Sequence, residues 1–516
     1  MVVLDGSSLT LAALIEIAER HEPVVLADEA RARVVAARAV VERKAAGDEP
    51  IYGVNTGFGA LADVRIPREA LGALQLNLLR SHAAGVGEPL PVPAVRAMMA
   101  LRANVLARGC SGIRPGSLEL LVEMLNRGVH PVIPSRGSVG ASGDLAPLAH
   151  LALVLVGEGQ VLHHPARGAS PDDCPASGYL TGAAALASAG LSPIVLEAKE
   201  GLALINGTQA SAAVLALALQ RAWRLARAAD IAASLSIDAL RGSVHPFETR
   251  IHRERPFPGQ LASAANVTRL LEQSEINKSH EHCGKVQDAY SLRCAAQVHG
   301  AARDALAFVQ RTVEIEANAA TDNPMVFVEG DAMVSGGNFH GAPVALAADI
   351  VAMAVAQLAT ISERRCDRLM NPALSDLPPF LTRASGLHSG LMLAQVTAAA
   401  LTSELKALAH PASVDTIPTS ASKEDHVSMS MAAALKALRA VELASHVVAI
   451  EALCACQGID LLSPLRTSPA LQGVIDCVRS RVPMLTIDRP PSPDIAAVAR
   501  LIESGAFENA SHLEVK

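Results

Sequence analysis

Five long stretches of this chain, residues 208–240, 276–317, 343–368, 390–409 and 431–457, carry apolar residues at i, i+3 and i+4 with few breaks. Most are longer than the helices of an ordinary globular domain. Several are apolar nearly all the way round, so both faces must be covered, as at the centre of a bundle or at a subunit interface. Half of the residues are apolar but only 2% are aromatic. The core must therefore be built from Ala, Leu, Val and Ile, which suits close-packed helices better than a β-sandwich. A mainly α fold is expected.

Shorter helical patterns precede these, at residues 9–43, 68–82, 92–108 and 145–156. Gly-rich loops lie at 51–62 and 129–144, and residues 157–190 read as surface hairpins and loops, with 163–178 looking like an insertion. The stretch from Pro343 to Ile361 is apolar enough to suggest a membrane span, but Asp349, Gln357 and the run Glu363-Arg364-Arg365 make it a buried bundle helix. The first ten residues lack the basic start and apolar core of a signal peptide. A net charge of −7 with 18% charged residues offers no basic surface for nucleic acid. Eight scattered cysteines show no disulfide framework, so reduced thiols in the cytoplasm are expected, with no membrane association and no metal site.

Residues 136–150 carry the chemistry. Ala141, Ser142 and Gly143 have the side chains a self-made electrophile needs. Attack of the Gly143 amide nitrogen on the Ala141 carbonyl carbon closes a five-membered ring around Ser142. Loss of water, including the Ser142 hydroxyl, then leaves an exocyclic methylidene. Gly143 keeps the nitrogen unhindered, Ala141 keeps the carbon accessible, and Gly137 and Gly140 give the loop its freedom. The plainer reading is a helix start capped by Ser142 or Asp144, with Pro147 in the first turn; the two can coexist. Competing motifs are weak. Gly57-x-Gly59-x-x-Ala62 lacks the βαβ context of a dinucleotide site, the Gly-x-Ser-x-Gly of hydrolases is absent, and His280-Glu281-His282 and Glu424-Asp425-His426 lack helical metal-ligand spacing.

The run Gly-Ser-Val-Gly-Ala-Ser-Gly-Asp-Leu-Ala-Pro-Leu-Ala-His ending at His150 resembles the signature of the aromatic amino acid ammonia-lyases that carry a methylidene-imidazolone prosthetic group. Four further segments resemble that family in the right order. They are Tyr52 to Gly59, the pair Ser81-His82, Asn206 within residues 201–209, and Gln287 to Arg293. Gly336 to Gly341, with Phe339, and Ser413 to Met429, with Glu424, complete the likeness. Ser81-His82 and Glu424 resemble the histidine-type members, in which they face the substrate's imidazole. Lys423 stands where the familiar pattern has Gln, and a cation there could lower the pKa of Glu424 or alter the ring-binding network. Ala289 stands where the family often has Pro.

The resemblance implies an elongated helical bundle of the ammonia-lyase and fumarase type over residues 111–516, with a smaller N-terminal globular domain over 1–110. It implies a homotetramer whose active sites draw on three subunits, and an amino acid substrate. It also implies a 4-methylidene-imidazol-5-one formed from Ala141, Ser142 and Gly143, with no metal or diffusible cofactor. The expected reaction is deamination of L-histidine to trans-urocanate and ammonia; an ammonia-lyase or 2,3-aminomutase acting on tyrosine or phenylalanine is the alternative. The β-proton would go to Tyr52 or to Glu424. His82 and Glu424 would grip the imidazole, and Arg293 would anchor the carboxylate. Asn206, Gln287 and Tyr290 would order the polar end, and Phe339 would flank the electrophile. On a helix Gln287, Tyr290 and Arg293 would share one face.

Overall fold

In the computed structural model, residues 1–162 and 178–516 are described, and most lie in helices. The longest are Gln209–Ala239, Ala295–Ala317, Ala342–Met370 and Ser430–Leu461, close to the stretches whose periodicity marked them. The segments at 92–108, 145–156 and 390–409 become Val92–Ala107, Leu145–Leu155 and Met392–Leu408. Among the described residues, Ala342–Met370 is the one helix long and apolar enough to cross a bilayer, and 67% of its most apolar window is buried within the protein. Strands are short and paired two by two; Gln160–Leu162 and Tyr179–Thr181 form an antiparallel hairpin within the irregular region. Residues 163–177 of the expected insertion, including His163 and His164, lie outside the described residues.

Two expected helices are broken. The pattern over 9–43 divides into Leu11–Glu19 and Asp28–Ala46 around the strand Val24–Leu26, which pairs in parallel with Val2–Leu4. Pro23, which cannot supply a helical N–H, stands at the break. The pattern over 276–317 divides into Glu275–Lys278, Tyr290–Arg293 and Ala295–Ala317. Polar residues and Gly284 fill the gap, which offers no apolar face to bury.

The chain forms two compact units. One comprises residues 1–217, 310–348 and 411–435; the other comprises 218–309, 349–410 and 436–516. In the first, Leu71–His82, Leu145–Leu155 and Glu200–Ile205 pack against one another. Their apolar sides hold Leu78, Leu79, Leu148, Leu151, Leu204 and Ile205 out of water. This three-way packing sets the end of the first helix, the start of the second and the end of the third. Those ends carry His82, Asp144 and Asn206.

The second unit is organised around a buried charge. Asp230 is fully buried and accepts from Ser263 Oγ at 2.6 Å, Asn266 Nδ2 at 2.9 Å, His299 Nδ1 at 2.7 Å and an Arg303 guanidinium nitrogen at 2.6 Å. Burial alone would raise the Asp230 carboxyl, but Arg303, His299 and Asn266 carry it well below the carboxylate range.

Candidate active site

The Ala141–Gly143 segment is held on both sides by hydrogen bonds. On the far side, Gly143 pairs in parallel with Gly207, and Asp144 N–H donates to the Gly207 carbonyl at 2.7 Å. Gly143 has φ +71°, and a Cβ there would lie 2.2 Å from the Gly207 oxygen. Only glycine fits, and its bare nitrogen is the one that ring closure requires. On the near side, the Gly140 carbonyl accepts from Ser428 Oγ at 2.9 Å and from Gly341 N–H at 3.2 Å.

Asp144 occupies the cap position of helix Leu145–Leu155, yet neither its carboxylate nor the Ser142 hydroxyl caps the helix. The Asp144 carboxylate, fully buried, instead accepts from Ser138 Oγ at 2.7 Å, Ser211 N–H at 2.7 Å and Ser211 Oγ at 2.8 Å. Burial raises its pKa against these hydrogen bonds. The side chain ties the loop to the first turn of helix Gln209–Ala239 rather than serving the end of its own helix.

Asn206 follows helix Glu200–Ile205, with its N–H bonded to the Leu202 carbonyl and its Nδ2 donating to the Ser142 carbonyl at 2.8 Å. Its Oδ1 is buried with no hydrogen-bond partner among the described residues. Behind it, fully buried Arg102 donates to the Asn206 carbonyl at 2.8 Å and to Gln209 Oε1 at 2.7 Å. An unsatisfied buried acceptor costs about 1–3 kcal/mol, so a polar group beside Ser142 is expected to meet it.

Glu424 completes this side. Its carboxylate accepts from Ser142 Oγ at 2.6 Å, Thr419 Oγ1 at 2.6 Å and Ser420 Oγ at 3.0 Å. The turn that delivers it is closed by reciprocal backbone bonds between Thr419 and Glu424 and runs through three left-handed residues, Ser420, Ala421 and Ser422, with φ of 49°, 52° and 63°. Such a turn is costly for residues bearing a Cβ and is common where a side chain must be aimed. Burial would raise the Glu424 carboxyl, but the hydroxyls of Ser142, Thr419 and Ser420 and the charge of His82 bring it below its usual value. Lys423, beside it in the chain, is exposed.

His82 ends helix Leu71–His82, with Nδ1 2.9 Å from the Leu78 carbonyl and 3.0 Å from Ser81 Oγ. Burial lowers its pKa, against the Leu78 carbonyl and the Glu424 charge, so at neutral pH the ring is neutral. Tyr52 sits in the turn before the short helical segment Gly59–Leu61, its hydroxyl accepting from Gly59 N–H at 3.4 Å and its ring edge-on to Phe58. Burial raises the Tyr52 phenol, the Gly59 bond lowers it and the Glu424 charge raises it further. Phe339, half-buried, lies two residues before Gly341, whose N–H holds the Gly140 carbonyl. Tyr52, His82, Ala141–Gly143, Asn206, Phe339 and Glu424 thus all belong to the first unit.

Gln287, Tyr290 and Arg293 belong to the second. Gln287 lies in the loop before the four-residue helix Tyr290–Arg293, so the expected common helical face does not include it. The Arg293 guanidinium sits 4.6 Å from the centre of the Tyr290 ring, and Tyr290 is 70% exposed. Gln287 and Arg293 line a cavity of about 810 Å³ with Lys278, His280 and Asp288. Ala289 precedes the short helix in extended conformation, φ −63° and ψ 158°, rather than standing inside one.

Sequence reasoning did not single out Arg102, Thr419, Ser420 or Ser428. Arg102 was findable as a cation inside the apolar run that forms Val92–Ala107, where burial demands a partner. The hydroxyl-rich run ahead of Glu424 was the signal for Thr419 and Ser420.

Residues 9–480 match the family model of aromatic amino acid lyases. The chain is 54% identical over 507 residues to a histidine ammonia-lyase of Stigmatella aurantiaca, covering 98% of this chain and 97% of that protein. It is 55% identical over 509 residues to a histidine ammonia-lyase of Anaeromyxobacter dehalogenans, covering 98% and 99%. Its fold is similar to the crystal structure of histidine ammonia-lyase from Trypanosoma cruzi, with a TM-score of 0.89, 46% identity and coverage of 99% and 94%. It is also similar to tyrosine aminomutase from Streptomyces globisporus, with a TM-score of 0.93, 37% identity and full coverage of both chains.

Proposed function

The chain belongs to the aromatic amino acid lyase family, and from that premise we propose that it deaminates L-histidine to trans-urocanate and ammonia. It is a carbon–nitrogen lyase. The observation that carries the substrate assignment is the Glu424 carboxylate, 2.6 Å from Ser142 Oγ and close enough to His82 for each to shift the other's pKa. An ionised carboxylate and a neutral imidazole beside the tripeptide can together accept and donate to a substrate imidazole. A phenyl ring offers them nothing to bond.

The amine of an amino acid is a poor leaving group, and its β-proton is weakly acidic. A 4-methylidene-imidazol-5-one made from Ala141, Ser142 and Gly143 would supply an electron-poor alkene that bonds the amino nitrogen. The residues present fit it: the Gly143 position admits no side chain, Asn206 holds the Ser142 carbonyl, and Asn206 Oδ1 is left over for a donor. Asn206, Gln287 and Tyr290 order the polar end of the substrate, and Phe339 flanks the tripeptide. Arg293, braced on the Tyr290 ring, anchors the α-carboxylate. Tyr52 takes the β-proton as phenolate, with Glu424 as the competing base; a positioned base is worth about 10²–10⁴-fold.

The reading extends to a cytoplasmic homotetramer with shared active sites. Half-exposed Leu393 and Val396 on helix Met392–Leu408 support assembly. Incubation of the purified protein with L-histidine, L-tyrosine and L-phenylalanine tests the substrate. Near-UV absorbing urocanate should form fastest from L-histidine. Faster turnover of either other amino acid, or recovery of a β-amino acid product, contradicts the assignment.

A further inference from the structure

The two sides of the Ala141–Gly143 segment are held by different means. Beyond it the grip is largely backbone, through Gly207. Before it, serine hydroxyls share the holding with backbone bonds. Gly140 N–H donates to Ser138 Oγ at 3.1 Å, and the Gly140 carbonyl accepts from Ser428 Oγ at 2.9 Å. Met429 N–H donates to the Val139 carbonyl at 2.8 Å. Gly140 has φ +68°, and a Cβ there would lie 2.3 Å from both Ser428 Oγ and Ser430 Oγ. The two hydroxyls sit against Gly140 in the same way but differ in bonding: the Ser430 hydroxyl has no hydrogen-bond partner among the described residues.

We infer that Ser428 is a positioning residue for formation of the electrophile, its hydroxyl fixing the Gly140 peptide so that the Ala141 carbonyl carbon stays within reach of Gly143 nitrogen. This rests on the reading that the tripeptide cyclises. In that step a C–N bond forms from Gly143 nitrogen to the Ala141 carbonyl carbon, and the Gly143 amide proton passes to the former carbonyl oxygen. That oxygen leaves as water with the Ser142 amide proton, giving a C=N bond. The Ser142 hydroxyl then leaves as water with the proton from its own Cα, giving the C=C bond. No oxidant or reductant is required.

An amide nitrogen is a poor nucleophile, so the rate depends on the fraction of time the reacting atoms are held in register. The Gly140 carbonyl and the Ala141 nitrogen share one rigid peptide plane. Anchoring that carbonyl therefore fixes the axis about which the Ala141 carbonyl turns. Without Ser428 the carbonyl keeps only the longer bond from Gly341 N–H, at 3.2 Å. Ser428 lies four residues beyond Glu424 in one short segment, so the same stretch positions the nascent ring and the carboxylate beside it.

The test is a time course of cell-free synthesis, with digestion and mass spectrometry of the peptide spanning residues 136–150, for wild type, Ser428→Ala and Ser430→Ala. Folding is followed in parallel by thermal unfolding. Wild type and Ser430→Ala should lose the two waters at the same rate, and Ser428→Ala about tenfold more slowly, the value of one hydrogen bond lost. Ser428→Cys, which keeps the volume and a weaker donor, should fall between them, and it carries the comparison if Ser428→Ala does not fold. Wild-type kinetics in the Ser428 variants, or equal slowing in Ser430→Ala, overturns the inference while leaving the cyclisation standing. A wild-type peptide that never loses water overturns both.

Discussion

Tyr52 and Glu424 are the two bases proposed for the β-proton, and their environments push them in opposite directions. Burial places the Tyr52 phenol above its ordinary value of 10, while Glu424 lies below its ordinary 4.5 and is ionised throughout the neutral range. If Tyr52 is the base, its reactive form is the phenolate, whose population rises with pH up to a value beyond the ordinary phenol range. The turnover rate on L-histidine should therefore climb through the alkaline range, and Tyr52→Phe should abolish that climb with a loss of about 10²–10⁴-fold. A flat alkaline profile, with Tyr52→Phe nearly as active as wild type, would assign the proton to Glu424. Below neutrality the profile should fall as His82, whose pKa burial has lowered, takes up a proton and ceases to accept from the substrate.

Helices were legible in the sequence wherever an apolar stripe ran unbroken, because burial of that stripe is what stabilises them. Breaks were legible only in part. The periodicity over 276–317 hid a loop, since a run of polar residues such as 279–288 is compatible with a solvated helical face until tertiary packing decides. Likewise Asp144 reads as a helix cap from its position, but the hydroxyls of Ser138 and Ser211, distant in sequence or outside the helix, capture its carboxylate. The candidate site residues of the first unit were named from motifs, whereas the contacts that aim them depend on pairings across more than sixty positions, such as Ser142 with Asn206. The loop geometry carries its own expectation. Ala289 already has φ −63° and an extended ψ, the conformation proline prefers. Ala289→Pro should thus leave turnover unchanged and raise stability by about 0.4–1 kcal/mol, read as an upward shift in the urea midpoint. A lowered midpoint would show that the Ala289 N–H has a structural role.

At the scale of the whole molecule, a core this poor in aromatic residues relies on close helix packing and on a few fully satisfied buried charges. Asp230 is the clearest, with four side chains bonded to it. Asp230→Ala strands Arg303 and His299 in the interior and should cost about 3–5 kcal/mol at neutral pH. The pH dependence has a definite sign. The folded carboxyl lies below its unfolded value of 3.8, so its contribution is fully present above that value and is lost as pH falls toward the folded one. The stability gap between wild type and variant should accordingly narrow in acid; a constant gap would show that the loss is one of packing.

On the proposed function, residues Ala141, Ser142 and Gly143 become the electrophile of a histidine-deaminating enzyme. The most direct measurement is the mass of the 136–150 peptide released from protein that is actively turning over L-histidine. That peptide should be lighter by two waters, with the change localised to Ala141–Gly143 and absent from Ser142→Ala. An unaltered peptide from fully active protein would contradict it.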